Sequence, residues 1–215
     1  MDRGFGLDVP ETLAEVCRPE RLALLVYDMQ VGIVRQLPDG LEVTRAVATV
    51  LDAARDGGFR VFFTRHLSLP GEVAGVSQLR TAKTWQRTRS VADVRASFPR
   101  DSPQFQIVPQ LAPRPSEAVF DKLSMSAFVG TPLDVALRDC GLVAFAIVGI
   151  ALEVGIEPTV RHATDLGFLP VVVTDACGAR DRTAAERALA GFAFAGGSLV
   201  TETSAIVPLL RAGTR

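Results

Sequence analysis

The sequence is poor in the residues that build metal sites and disulfide frameworks. Its 215 residues include three cysteines, Cys17, Cys140 and Cys177, with no C-x-x-C spacing, and two histidines, His66 and His162. An odd, scattered set of cysteines argues against both a disulfide scaffold and a zinc ribbon. We therefore expect a cytoplasmic protein in a reducing environment, with no bound metal.

A strong charge imbalance and a long apolar run are also missing. The 23 Lys and Arg residues nearly balance the 24 Asp and Glu residues, for a formal net charge of −1. No segment approaches the roughly 18 consecutive apolar residues of a membrane span, and the N-terminal residues do not resemble a signal peptide. Nucleic acid and membrane are therefore not expected as partners. No glycine-rich phosphate-binding motif follows a predicted strand, so no cofactor is expected.

Short, continuously apolar segments alternate with segments of helical spacing along most of the chain. Residues 22–27 and 143–150 have the unbroken apolar character of strands that are buried on both faces. The pattern predicts a single α/β domain over residues 1–215, with three α/β/α layers, a central, mostly parallel six-stranded sheet and Rossmann-like topology. Strands are predicted at 22–27, 59–64, 118–120, 143–150, 171–174 and 198–201, and helices at 41–55, 132–140, 156–166 and 183–194.

Two segments interrupt this alternation. Residues 1–20 precede the first strand and are interpreted as an N-terminal arm. Residues 67–115 are rich in Arg, Pro, Ser and Gln and contain the single tryptophan, Trp85. Because loops that leave a rigid α/β scaffold often build its binding site, we expect residues 67–115 to form part of the site. A surface insertion without function is the alternative.

Charged and polar residues follow the predicted strands. Asp28 and Gln30 follow the first strand, Arg65 and His66 the second, and Lys122 the third. In an open parallel sheet, ligands bind outside the carboxyl ends of the strands. An acid and a lysine at neighbouring strand ends can form a buried pair that is poised for proton transfer. The structural alternative for the acid is an ordinary carboxylate that caps a helix.

Three sequence blocks resemble the isochorismatase-like hydrolase superfamily. They are LLVYDMQ at 24–30, KLSMSAF at 122–128 with its continuation through residue 133, and GIA at 149–151 with the segment that follows it to residue 177. The blocks occur in order and at compatible spacing. The resemblance implies a hydrolase in which Asp28 and Lys122 are catalytic, a small-molecule substrate, and assembly into a homodimer or higher homo-oligomer.

One position departs from the amidase branches of that superfamily, in which an aspartate, a lysine and a nucleophilic cysteine act as a triad. The alignment places Gly155 where the cysteine would be, and none of the three cysteines is an obvious substitute. A glycine there is what the resemblance implies for the isochorismatase branch, which hydrolyses a vinyl ether without a covalent intermediate. Asp28, kept partly protonated by a dry pocket, would then protonate the enol-ether carbon, while Lys122 orients it and water captures the resulting cation.

The backbone around Gly155 is also expected to contribute. Pro158, in the first turn of a predicted helix, would leave the N–H groups of Gly155 and Ile156 free for an oxyanion or carboxylate. The resemblance further implies a non-proline cis peptide at Ile150-Ala151, and both residues are expected to contact substrate.

Glu153 stands where, according to the resemblance, the isochorismatase branch usually has a histidine. Two carboxylates at adjacent strand ends can divide acid and base roles, which leads to the hypothesis that Glu153 activates the hydrolytic water. The alternatives are a salt bridge to Arg65 or Arg161, or compensation of charge at a helix N-terminus.

The remaining candidate residues would bind substrate. Gln30 and His66 are expected to contact it, and Arg65 is a candidate ligand for a substrate carboxylate. Trp85 and Phe128 are candidates for an apolar or stacking wall, with ordinary core packing as the alternative.

The leading functional prediction is hydrolysis of a small organic molecule without a cysteine nucleophile. Vinyl-ether cleavage, as in isochorismate, is one candidate reaction. Water-based hydrolysis of a C–N amide bond of the carbamoyl or ureido type is a second. A catalytically inactive relative that binds a small molecule is the alternative outside enzymology.

Overall fold

The computed structural model describes residues 1–213, which form eight strands and eight α-helices. The strands are β1 (Asp2–Gly4), β2 (Leu7–Val9), β3 (Leu22–Tyr27), β4 (Arg60–His66), β5 (Ala118–Lys122), β6 (Ala144–Ile150), β7 (Leu169–Gly178) and β8 (Leu199–Thr201). The helices are α1 (Leu13–Val16), α2 (Val31–Val34), α3 (Gly40–Asp56), α4 (Val76–Gln86), α5 (Leu133–Asp139), α6 (Glu157–Asp165), α7 (Arg182–Ala195) and α8 (Thr203–Arg211). A π-helical turn, Leu152–Ile156, leads into α6. Among the helices of residues 1–213, none combines the length and apolarity needed to cross a bilayer.

Six strands form one sheet in the order β5-β4-β3-β6-β7-β8, and each adjacent pair is parallel. Numbered within the sheet alone, this is the Rossmann order 3-2-1-4-5-6. The central strands β3 and β6 are buried along their whole length, which explains their unbroken apolar sequences. The predicted single-domain α/β/α fold is therefore confirmed.

Helices cover both faces of the sheet. Alternate residues of β3 point to opposite faces because side chains alternate along a strand. Leu24 and Val26 pack in one apolar cluster with α3 and α8, whereas Leu25 and Tyr27 pack in the other with α5, α6 and α7. Each of these large apolar side chains contributes roughly 1.5–3 kcal/mol through burial. The two clusters hold the carboxyl end of β3 rigidly in the middle of the molecule.

Several elements have no clear signal in the sequence. β1 and β2 form an exposed antiparallel hairpin within residues 1–20. Helix α4 lies within residues 67–115 and has no buried residue, so it lacks the apolar stripe that identifies a helix in a sequence. Helix α8 contains Pro208, which argues against a helix at the sequence level.

Strand β7 is longer than predicted. It runs for ten residues, Leu169–Gly178, instead of ending near residue 174. Its register against β6 shifts between Ile147 and Gly149, so additional residues of β7 are taken into the sheet. Cys177 therefore lies within the strand, and residues 179–181 are the first to follow it at the carboxyl edge.

Candidate active site

The candidate site lies where the order of strands changes direction. From β3 the chain continues to β4 and β5 on one side, and from β6 it continues to β7 and β8 on the other. In such sheets the ligand crevice lies at the carboxyl ends of the two strands that flank this point. Asp28 directly follows β3 and Ala151 directly follows β6. The first and third sequence blocks therefore meet at this point.

Asp28 and Lys122 form a buried ion pair. Lys122 Nζ lies 2.6 Å from Asp28 Oδ2, and the two side chains are 0% and 5% exposed, respectively. The hydroxyl of Thr64 donates to Asp28 Oδ1 at 2.7 Å, and Lys122 also donates to the Ser124 carbonyl at 3.1 Å. Burial lowers the pKa of Lys122, while the charge of Asp28 opposes that change. The short contact and the weakened hold of Lys122 on its proton suit proton exchange within the pair.

Tyr27 fills the space beside Gly155. A Cβ on Gly155 would lie 2.0 Å from the Tyr27 hydroxyl oxygen and 2.5 Å from Tyr27 Cζ. The Tyr27 side chain is buried, its hydroxyl donates to the Met125 carbonyl, and Lys122 Nζ lies 4.4 Å from the ring centroid. Burial and the neighbouring Asp28 raise the pKa of Tyr27 well above its usual value. The phenol is therefore protonated at neutral pH, and the ring leaves room only for glycine at position 155.

A cavity of about 270 Å³ opens beside these residues. Several predicted site residues line it: Asp28, His66, Trp85, Ile150, Ala151 and Gly155. The segment 67–115 contributes one wall, formed by Trp85, Gln86, Ser97 and Phe98. Apolar side chains from three other segments complete the walls: Ile33, Leu37, Met125 and Val154. The arrangement suits a small and largely apolar molecule.

His66 offers a neutral ring to this cavity. Burial, and then the positive charge of Lys122, lower the pKa of His66. Its Nδ1 is buried without a hydrogen-bond partner, and its ring packs edge-on against Phe98 with centroids 6.2 Å apart. One ring nitrogen is therefore available to a ligand.

Gln30 and Arg65, both predicted to bind substrate, do not line the cavity. Gln30 Nε2 donates to the carbonyls of His66 and Phe105, and its Oε1 accepts the N–H of His66 at 2.6 Å. The Arg65 guanidinium is ion-paired with Asp121 at 2.8 Å. Internal bonds thus occupy the polar groups of both side chains, and the two residues support the site from outside.

Phe128 and two of the cysteines belong to the interior. Phe128 stacks on another core aromatic ring, with centroids 5.8 Å apart, and does not line the cavity. The Cys177 thiol donates to the Ile147 carbonyl at 3.6 Å, and burial raises its pKa. Burial also raises the pKa of Cys17, to about 12. Neither thiol suits nucleophilic catalysis.

Across residues 1–213, no three His, Cys, Asp or Glu side chains are grouped so as to hold a metal ion.

Glu153 does not line the cavity. Its Oε1 accepts the backbone N–H groups of Arg180 and Asp181, each at 2.9 Å. The alternative salt bridge, to Arg65 or Arg161, is not formed either, since these arginines pair with other acids. This placement argues against the hypothesis that Glu153 activates water, because its carboxylate holds the loop that precedes α7.

The expected backbone donors are also engaged. The N–H groups of Gly155 and Ile156 both donate to the Ala151 carbonyl, at 3.0 and 3.1 Å. These bonds belong to the π-helical turn Leu152–Ile156, which the sequence pattern did not reveal. The expectation that these two groups are free for an oxyanion is therefore wrong. The cis peptide expected at Ile150-Ala151 is present.

Three residues of the site have weak sequence signals. Tyr27 precedes Asp28, and the sequence pattern indicates only that it belongs to the buried strand. Thr64 ends a predicted strand, yet a threonine there is common in any sheet. Arg180 lines the cavity but became recognisable only once the true end of β7 was known.

A Rossmann-like sheet that carries a buried acid–lysine pair at its switch point is the arrangement that the resemblance implies for a hydrolase of the isochorismatase-like superfamily. A family model described as isochorismatase domain matches residues 22–204. The chain therefore belongs to the isochorismatase family.

Two curated relatives agree with this assignment, and a solved structure shares the fold. YwoC of Bacillus subtilis (strain 168), described as an uncharacterized isochorismatase family protein, is 29% identical over 157 residues, which cover 73% of this chain and 77% of YwoC. A probable isochorismatase of Pseudomonas chlororaphis is 30% identical over 172 residues, which cover 79% of this chain and 77% of that protein. The crystal structure of a cysteine hydrolase from Pseudomonas syringae pv. phaseolicola 1448A superposes with a TM-score of 0.79 at 21% identity, covering 91% of this chain and 95% of the other.

Proposed function

We propose that the chain hydrolyses a small organic molecule by acid catalysis through Asp28, without a covalent enzyme intermediate. One observation supports this above the others: the buried Asp28–Lys122 pair borders a cavity in which Tyr27 occupies the space next to Gly155. The acid is thus at the wall of the cavity, and the two buried cysteines lack the properties of a nucleophile.

Vinyl-ether cleavage is the reaction that this arrangement suits best. Lys122 passes its proton to Asp28 across 2.6 Å, and the resulting carboxylic acid protonates the enol-ether carbon. Water then attacks the oxocarbenium carbon, the hemiketal collapses to an alcohol and a ketone, and the proton released by water returns to the pair. The apolar walls exclude bulk water and strengthen the electrostatic effect of Lys122 on the developing charge.

Amide hydrolysis is the second candidate, supported by the same carboxylate. In this case ionised Asp28 removes a proton from water, which attacks the carbonyl carbon, and the proton then moves to the departing nitrogen. Glu153 contributes no base to this reaction, because its carboxylate bonds to backbone N–H groups outside the cavity.

One incubation panel separates the two reactions. The purified chain is mixed with isochorismate, nicotinamide, biuret, ureidoacrylate and N-carbamoyl amino acids, and pyruvate and ammonia are measured in parallel. Pyruvate that is lost in Asp28→Asn supports vinyl-ether cleavage, and ammonia lost in the same variant supports amide hydrolysis. Asp139→Asn is the matched control, since Asp139 is exposed on α5 and should leave either activity unchanged. Product formation that survives Asp28→Asn would contradict the proposal, as would the absence of both products.

A further inference from the structure

Arg180 brings a guanidinium group to the mouth of the cavity. It is an exposed residue of the loop between β7 and α7, and it lines the cavity. Its Cζ lies 5.2 Å from the centroid of the Trp85 ring, which belongs to α4. Within residues 1–213 only its backbone N–H is hydrogen-bonded, and the guanidinium makes no ion pair. The two residues come from distant parts of the chain, and both line the cavity.

The other titratable groups of the cavity do not neutralise this charge. Asp28 is paired with Lys122, so the two together add little net charge. His66 is neutral at neutral pH, because burial and Lys122 lower its pKa. Among the residues of 1–213 that line this largely apolar cavity, Arg180 is therefore the one charged residue without an ion-pair partner.

Glu153 holds the backbone of Arg180 in place. The two hydrogen bonds from the N–H groups of Arg180 and Asp181 to Glu153 Oε1 tie the loop after β7 to the π-helical turn after β6. The other carboxylate oxygen, Oε2, is buried and has no partner. Glu153 is half-buried, and the two backbone donors are the partners of its carboxylate, so loss of either bond would leave it with fewer partners. The backbone from which the guanidinium extends is thus held beside the cavity.

We propose that Arg180 binds the carboxylate of a small, otherwise apolar organic anion, and that Glu153 is its positioning residue. Guanidinium groups recognise carboxylates through paired N–H donors. Packing of Arg180 over Trp85 leaves the edge of the guanidinium free for such a pair. The apolar walls take the rest of the molecule, with its reactive end toward Asp28. This assignment specifies the substrate class of the hydrolysis proposed above and, in that respect, rests on it.

Trp85 provides a direct measurement of binding. It is the single tryptophan of the chain, so its fluorescence reports the mouth of the cavity alone. The probes are cyclohexanecarboxylate and cyclohexanecarboxamide, which have the same shape, differ in charge and do not absorb with indole. We expect the carboxylate to bind at least about tenfold more tightly than the carboxamide, the factor supplied by a charge-assisted hydrogen bond.

Arg180→Gln should remove this preference and leave binding of the carboxamide within about twofold of the original. Arg182→Gln is the matched control, because Arg182 is two residues away, almost fully exposed and paired with Glu186; it should keep the preference. Equal binding of the two probes to the unmodified chain, absence of binding, or a preference that survives Arg180→Gln would each overturn the assignment.

The positioning role of Glu153 has its own test. Glu153→Ala should reduce the carboxylate preference, whereas Glu153→Gln, which keeps an acceptor oxygen for both N–H groups, should restore it. A preference unchanged in Glu153→Ala would contradict that role. Binding is also measured in Asp28→Asn, where no turnover is expected. If the carboxylate preference is absent in Asp28→Asn or in the unmodified chain, the assignment of Arg180 as the carboxylate-binding residue is wrong. If the unmodified chain binds the carboxylate but hydrolyses no substrate, only the hydrolysis proposal is wrong.

Discussion

The Tyr27 hydroxyl lies 2.0 Å from the point that a Cβ on Gly155 would occupy. No side chain at position 155 can coexist with the present tyrosine ring, which is fixed by burial and by its hydrogen bond to Met125. A missing thiol at position 155 is therefore coupled to a large side chain at position 27. Introducing a cysteine at 155 alone would not provide a functional nucleophile.

This coupling predicts a non-additive pair of substitutions. Gly155→Ala should destabilise the fold by about 1–3 kcal/mol, because the ring must move within a packed core. In the background of Tyr27→Val, which removes the ring, the same change should cost much less. Chemical denaturation of the four chains gives the coupling energy.

The control is Gly71→Ala, since a Cβ at Gly71 meets nothing within 4 Å. Its effect should be small and the same in both backgrounds. Additive effects of Gly155→Ala and Tyr27→Val would contradict the steric coupling.

The Asp28–Lys122 pair predicts a stability change that is separate from activity. Lys122→Met leaves a buried carboxylate without its partner, which should cost about 3–5 kcal/mol. The double variant Asp28→Asn with Lys122→Met removes both charges and should recover much of that loss while remaining inactive. Urea unfolding and the hydrolysis assay together check this. Equal stability of Lys122→Met and the double variant would contradict an energetic cost of the unpaired Asp28 carboxylate.

His66 predicts a loss of stability on acidification. Since the pKa of His66 in the fold lies below its ordinary value of 6.5, the unfolded chain takes up a proton in that interval and the folded chain does not. The free energy of unfolding should therefore decrease as the pH falls below 6.5.

The measurement is chemical denaturation above and below pH 6.5. His66→Gln should lose less stability on acidification than the unmodified chain. Parallel curves for the unmodified chain and His66→Gln would exclude this histidine as the source.

Thiol chemistry should have little influence on activity. Burial raises the pKa of Cys17 to about 12 and also raises the pKa of Cys177, so both thiols react slowly at neutral pH. Incubation with iodoacetamide should leave hydrolysis unchanged, and mass spectrometry identifies any modified cysteine. Loss of activity in step with alkylation of one cysteine would contradict a mechanism without a thiol.

The fold and the central pair were accessible from the sequence because their signals are local. Unbroken apolar segments identify β3 and β6, and the rule that ligands meet parallel strands at their carboxyl ends brings Asp28 to Lys122. The partners of Gln30 and Glu153 were not accessible, because both side chains bond to backbone groups of distant segments. Such partners depend on how loops approach one another, and residue types do not encode them.

The same limit explains Arg65 and Arg180. Both are arginines close to a strand end, and the sequence favoured Arg65 as the residue that binds a carboxylate. In the structure Arg65 is ion-paired with Asp121, which lies on the adjacent strand β5 and also pairs with Arg100. The additional residues of β7 bring Arg180 to the cavity instead. The register shift between β6 and β7 therefore decides which of the two arginines lines the cavity.

The pairing of β3 with β6 also has a consequence for how the protein is made. Leu22 lies opposite Ala144, so one side of β3 has no partner until the ribosome has released well over half of the chain. During that interval β3 can pair with β4 only, and its other, apolar edge is open to other chains. Because such distant contacts form slowly, the crevice beside Asp28 is assembled late although its acid is synthesised early. This unpartnered edge favours aggregation of the nascent chain, so a chaperone that covers it should raise the yield of folded protein.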